Sequence, residues 1–168
     1  MKNRIRIYPE GYAGIDLGKG FETKVDVEDL PKLIEIKWRP MSTQTNKSGP
    51  YVRAIGRTRG VEFFLHRYLY SAVGPEFRDI EIDHINGDPL DNRRNNLRPA
   101  TRQQNRANTR KSNPFKGAYK HHNKWHARIR HGGVTHYLGA FSTPEQAAQA
   151  YNNKAIEFHK EFANLNKL

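Results

Sequence analysis

From residue 81 to residue 108 the chain reads EIDHINGDPLDNRRNNLRPATRQQNRAN, and this stretch restricts the fold more than any other. Ile80, Ile82 and Ile85 predict a strand that delivers Asp83 and His84 at its end. A loop rich in Asn, Asp, Gly and Pro follows, then a short strand near Leu97 to Pro99. Thr101-Arg102-Gln103-Gln104 is a capping box, so Thr101 starts a helix whose third residue reaches back. Asn105 then lies in the first turn of that helix, beside its positive end. Strand, loop, strand and helix thus carry Asp83, His84, Asn96 and Asn105 at fixed intervals.

A carboxylate beside an imidazole, with two amides at set distances, is what one divalent metal and one general base need to cut a phosphodiester. Mg²⁺ or Mn²⁺ takes oxygen donors and needs few from protein. Asp83 offers a carboxylate and Asn105 an amide carbonyl. His84 titrates near neutrality and can accept a proton from water. Its other ring nitrogen needs an acceptor, for which a nearby backbone carbonyl is suited. Asn96 suits a brace for the loop, and Asp88 and Asp91 read as turn formers.

Charge says which phosphodiester. The formal excess is +12, and residues 92–144 carry 12 Lys+Arg with no Asp or Glu, whereas residues 1–91 balance. A single-signed block with aromatics and strand-like alternation is a footprint for nucleic acid. Charge alone does not separate DNA from RNA. Arg93, Arg94, Arg98 and Arg102 are candidate phosphate contacts. There is no cysteine, which excludes thiolate chemistry and Cys-ligated zinc. No 18-residue apolar run or signal-like N-terminus is present, so the expected location is cytoplasmic, with no membrane partner.

Elsewhere the patterns are weaker. Phe21 to Val27 alternates like a strand, and a short helix is expected from Val27 to Ile36. Ser42 to Pro50 reads as a loop. Tyr51–Ile55 and Val61–Leu65 read as strands, and His66 to Val73 as a helix stopped by Gly74-Pro75. From Trp125 to Arg130 alternation is strict, with Trp125, Ala127 and Ile129 on one side and His126, Arg128 and Arg130 on the other. Gly132-Gly133 supplies a turn to a returning strand, Val134–Phe141. Thr143 to Gln146 caps a helix with Ala147, Tyr151, Ala155, Phe158 and Phe162 on one stripe. The expected class is α+β. It comprises an N-terminal β-rich segment (1–60), a ββα module carrying Asp83, His84, Asn96 and Asn105 (61–108), a linker (109–114) and a three-stranded antiparallel sheet packed on one helix (115–168).

Leu65-His66-Arg67, the run Asp83 to Arg98 and the run Ala100 to Asn105 resemble the HNH endonucleases, specifically the homing type of phages and mobile introns. The resemblance implies that His84 is the general base, that Asp83 and Asn105 bind one divalent metal, and that Asn96 is the structural asparagine. It also implies products with 5′ phosphate and 3′ hydroxyl. Asn105 stands where other members have histidine, a known variant. His66 fits either an accessory role at phosphate or a helix-end core position.

From Phe115 to Asn164 the chain resembles the Apetala2/ethylene-response-factor DNA-binding domain, through FKGAY, KWHARIR, YLGAF and STPEQAAQAYNNKAIEF. That resemblance implies a sheet laid in the major groove. The contact positions fall on Tyr119, His121, Arg128, Arg130, Thr135 and Tyr137, with Lys124 on phosphate and Trp125 in the core. The expected protein is a metal-dependent endonuclease of double-stranded DNA, monomer or dimer. The alternative is a DNA-binding regulator with an inactive nuclease module, and an RNA binder is a weaker third.

Overall fold

Alternating apolar residues at Ala13, Ile15 and Leu17 bury one face of strand β2 (Tyr12–Gly18), which lies between β1 (Ile5–Ile7) and β3 (Phe21–Asp26) in an antiparallel sheet. The computed structural model describes residues 2–46, 49–71, 80–109 and 115–168. A 3-10 turn (Val27–Asp29) and one turn of helix, α1 (Leu30–Leu33), follow, with Pro31 in the first turn where its missing N–H costs nothing. Then β4 (Trp38–Asn46), β5 (Gly49–Thr58) and β6 (Val61–Phe64) form an antiparallel meander that runs into α2 (Leu65–Leu69). The hairpin β7 (Glu81–His84) and β8 (Leu97–Ala100) pairs Asp83 with Arg98 and His84 with Leu97. The class is α+β, with several small antiparallel sheets and few helices.

The chain divides into two compact units, 1–100 and 101–168. In the first, one core joins the N-terminal sheet (Ile15, Val25), the meander (Trp38, Ala54, Phe63), α2 (Leu65, Leu69) and the hairpin (Ile82, Leu97). Trp38 is its centre: edge-on to Phe63 and Tyr68 at 5.9 Å, with its indole N–H donated to Leu33 O at 3.0 Å. Each such ring pair contributes roughly 0.5–1.5 kcal/mol beyond area burial. Residues 1–60 therefore supply most of the apolar floor on which the hairpin sits.

In the second unit α3 (Arg102–Asn108) is opened by Thr101, with both bonds of its capping box made. Strands β9 (Ala118–His121), β10 (Lys124–His131) and β11 (Val134–Phe141) form an antiparallel sheet in the order β11-β10-β9. Ala127 and Ile129 are buried against Ala147, Tyr151 and Ala155 of α4 (Pro144–His159), and Trp125 packs at the edge of the same core. Gly117 has φ +78°, and a Cβ there would stand 1.9 Å from the Tyr151 ring. Only glycine satisfies both the backbone and the contact.

Three sequence expectations are corrected. Of the segment 42–50, expected as a loop, Ser42 to Asn46 belong to β4 and Gly49 and Pro50 to β5; polar residues in a paired meander carry no apolar alternation to announce them. The last helix ends at His159, because Lys160 takes φ 48°, so Phe162 reaches the core from a 3-10 turn. Helix α2 spans Leu65–Leu69 rather than reaching Val73, and Ser71 turns away with φ 52°. The expected stop at Gly74-Pro75 and residues 110–114 of the linker lie outside the described residues.

Candidate active site

Strand β7 ends with Asp83 and His84 both buried, 4% and 7% exposed. Across the hairpin, Arg98 donates through Nε at 3.0 Å and Nη2 at 2.9 Å to Asp83 Oδ2. A carboxylate this buried needs such a partner. The loop from Ile85 to Asn96 is held by its own amides. Asn96 Oδ1 accepts from Asn86 N at 3.0 Å, and its Nδ2 donates to Asn86 Oδ1 at 3.0 Å and to Asp91 O at 2.7 Å. Ile85 N donates to Asn96 O at 2.8 Å. Asn96 thus ties the start of the loop to its end and fixes where His84 leaves the strand.

A side-chain acceptor faces His84, where sequence reasoning suggested a backbone carbonyl. His84 Nε2 lies 3.1 Å from Asn92 Oδ1, and Asn92 is 1% exposed. His66 from α2 stands edge-on to His84, ring centroids 5.0 Å apart, and stacks on Phe64. Burial pushes the His84 pKa below the ordinary histidine value; the Asn92 bond and the Asp83 charge oppose this without overcoming it. His66 is pushed well below, by burial first and then by His84, Arg53 and Arg67. Both imidazoles are therefore neutral at pH 7, the state in which a histidine accepts a proton.

The depressed His66 pKa has a thermodynamic consequence. Below pH ~6.5 the unfolded chain protonates at His66 while the folded chain does not. Stability is full above that pH and falls as pH drops through the window down to the folded-state value, by about 1.4 kcal/mol per unit for this one group. Urea unfolding at stepped pH is expected to show this slope, and His66→Gln to reduce it.

Arg93, Arg94 and Arg98, three of the arginines expected at phosphate, have carboxylate partners. Arg93 forks onto Asp91 with two bonds of 2.7 Å and lies over the Tyr12 ring at 5.3 Å. Arg94 forks onto Asp29, itself buried, at 2.9 and 2.6 Å. Burial would raise the Asp91 carboxyl, but its bonds from Arg93 and Asn86 hold it below the usual range. Arg102 is exposed on α3, and Asn105, half-buried, lies on the same helix in the second unit. Sequence reasoning missed Asn92, Thr23 beneath it, and Arg53, whose charge acts on both imidazoles.

In the second unit, Lys124, His121, Arg128, Arg130, Thr135 and Tyr137 are exposed and Tyr119 is half-exposed. Tyr119 pairs with His126, Arg128 with Tyr137, and Arg130 with Thr135, so cross-strand neighbours share one face. The Arg128 guanidinium lies 4.8 Å over the Tyr119 ring, and His126 Nδ1 is 2.9 Å from the Tyr137 hydroxyl. His126, not among the expected contacts, is central to that cluster.

The HNH endonuclease family profile matches residues 63–107, which run from β6 through α3. A protein of Acanthamoeba polyphaga mimivirus, described as an uncharacterized HNH endonuclease, is 37% identical over 155 residues, covering 90% of this chain and 78% of that protein. The chain belongs to the HNH endonuclease family. This HNH endonuclease is thus a DNA-cleaving enzyme, and the buried Asp83–His84 pair lies inside the matched segment. No solved structure matches the chain. Among the described residues no helix is long and apolar enough to cross a membrane.

HNH nucleases generally use a divalent metal. Among the described residues no three His, Cys, Asp or Glu side chains are grouped to hold one. A hard cation such as Mg²⁺ needs only one or two protein oxygens beside phosphate and water. Asp83, a buried carboxylate oriented by Arg98, is a donor of that kind.

Proposed function

We propose that this HNH endonuclease is a metal-dependent nuclease of double-stranded DNA, of the homing type, with His84 as general base. The observation that carries the reading is the buried, neutral His84, held by Asn92 beside the ion-paired Asp83. The imidazole takes a proton from water as the water oxygen bonds to phosphorus. The P–O3′ bond breaks, and the 3′ oxygen leaves and is protonated from solvent, giving 5′ phosphate and 3′ hydroxyl. Asp83 and Asn105 are the residues proposed to hold Mg²⁺ or Mn²⁺, a pairing that rests on their spacing in the motif. Such an ion would stabilise charge on the phosphate. Asn96 acts by bracing the loop.

On this reading the nuclease motif cuts, and the sheet of the second unit grips the duplex in the Apetala2-like manner its sequence suggests. Tyr119, His121, Arg128, Arg130, Thr135 and Tyr137 meet DNA and Lys124 meets phosphate. The exposure of basic and aromatic side chains opposite Trp125 and Ile129 supports this. A bidentate arginine on guanine is worth roughly 1–3 kcal/mol of discrimination.

A supercoiled-plasmid assay tests the proposal. Nicked or linear product is expected with Mg²⁺ or Mn²⁺ and none in excess EDTA; undiminished cutting in EDTA would overturn metal dependence. Binding without cutting under every divalent ion would leave a DNA-binding protein with an inactive centre. Binding itself is expected to weaken with salt: six neutralised phosphates give a slope of log K on log salt of about −5. Lys124→Ala, which removes a phosphate contact, should flatten that slope by about 1.

A further inference from the structure

Beneath the loop of the active site, Thr23 of β3 and Asn92 form a buried chain of hydrogen bonds that ends on His84. Thr23 is 0% exposed and Asn92 1%. Thr23 Oγ1 donates to Leu90 O at 2.8 Å. Asn92 Nδ2 donates to Thr23 Oγ1 at 2.8 Å and to Pro89 O at 3.3 Å. Asn92 Oδ1 faces His84 Nε2 at 3.1 Å. The backbone clamps the same place: Lys24 N donates to Leu90 O and Asn92 N to Lys24 O, both at 2.8 Å.

The direction of every proton in this chain follows from its fixed ends. The carbonyls of Leu90 and Pro89 can only accept. The Thr23 hydroxyl has one proton and gives it to Leu90, so toward Asn92 it accepts. The amide nitrogen of Asn92 must then face Thr23 and Pro89, which leaves its oxygen toward the imidazole. A flipped amide would set oxygen against the Pro89 carbonyl and leave a buried acceptor unpaired, an expensive arrangement. An oxygen acceptor at Nε2 demands a proton there, so the neutral imidazole carries its lone pair on Nδ1.

We infer that Asn92 and Thr23 are positioning residues that lock His84 in the Nε2–H tautomer and so make Nδ1 the nitrogen that receives the proton from water. The N-terminal sheet is then part of the machinery of the site, through a residue sixty-nine positions away from Asn92 in sequence. The inference rests on the reading of His84 as the base, but its first test does not need activity.

Long-range proton–nitrogen NMR of the full chain, at a pH where the imidazole is neutral, reads the tautomer directly. His84 is assigned by the signals lost in His84→Ala. The wild type and Thr23→Ser are expected to show the Nε2–H pattern. Thr23→Val, nearly isosteric but without the hydroxyl, should show a mixture, and Asn92→Leu a larger shift. In the plasmid assay kcat should fall about 10-fold for Thr23→Val and about 100-fold for Asn92→Leu, with KM for DNA unchanged. Thr23→Ser should restore kcat to within about twofold, against the 10-fold loss with valine. If Asn92→Leu fails to fold, Thr23→Val and Thr23→Ser still decide. An Nδ1–H pattern in the wild type, or a Thr23→Val variant identical to it in tautomer and kcat, would overturn the inference. A wild type with the Nε2–H pattern that cuts no DNA would instead overturn the nuclease reading and leave the hydrogen-bond chain standing.

Discussion

His84→Ala is expected to lower the rate of plasmid cleavage by about 10²–10⁴, the range for losing a general base. That corresponds to roughly 3–5 kcal/mol of transition-state stabilisation. The size of the loss follows from burial. His84 is 7% exposed and neutral at pH 7, so its lone pair is available where few waters compete for the role. Truncation leaves Asp83 and its Arg98 partner in place, so binding of DNA should change little. Gel-shift affinity and single-turnover cleavage on the same preparations separate the two effects. A variant cutting within tenfold of wild type would remove His84 from the role proposed for it.

Gly117→Ala should destabilise the second unit by about 2–4 kcal/mol, since it combines strain at a positive φ with overpacking against a buried ring. The added methyl would meet Tyr151 Cδ2 at 1.9 Å. Tyr151 has nowhere to retreat: it is 4% exposed, packs with Ile129 and Ala155, and its burial pushes the phenol pKa up to about 12. The chain carries two tryptophans, Trp38 in the first unit and Trp125 in the second. Their indole NMR signals followed through a urea titration report each unit separately. In Gly117→Ala the Trp125 signal should lose its native position at lower urea, while that of Trp38 holds. Equal shifts of both midpoints would contradict the assignment of Gly117 to the second unit alone.

Local chemistry was the part of this protein most readable from sequence. Both capping boxes, at Thr101 and Thr143, form with both reciprocal bonds, because such motifs depend on residues three apart. Strict alternation likewise placed Ala127 and Ile129 inward on β10. Long-range partnerships were not readable. The block from 92 to 144 looks purely basic in sequence, yet Arg93, Arg94 and Arg98 fold onto Asp91, Asp29 and Asp83, so segregated charge along a chain is mixed in space. Asn92 was one asparagine among several until Thr23 gave it a direction. Strands β1 and β2 were invisible for another reason: β1 buries nothing, and glycines at 14 and 18 break the pattern of β2.

The hydrogen bonds between Lys24 and the loop at Leu90 and Asn92 limit how far this nuclease can be trimmed. The family profile begins at residue 63, yet the strand that grips the loop lies forty residues earlier. A graft containing only the recognisable motif would carry the reactive groups and leave behind the surface they are pressed against. The smallest portable cutter in this chain therefore starts near its first strand, and shuffling among relatives has to move that sheet together with the motif.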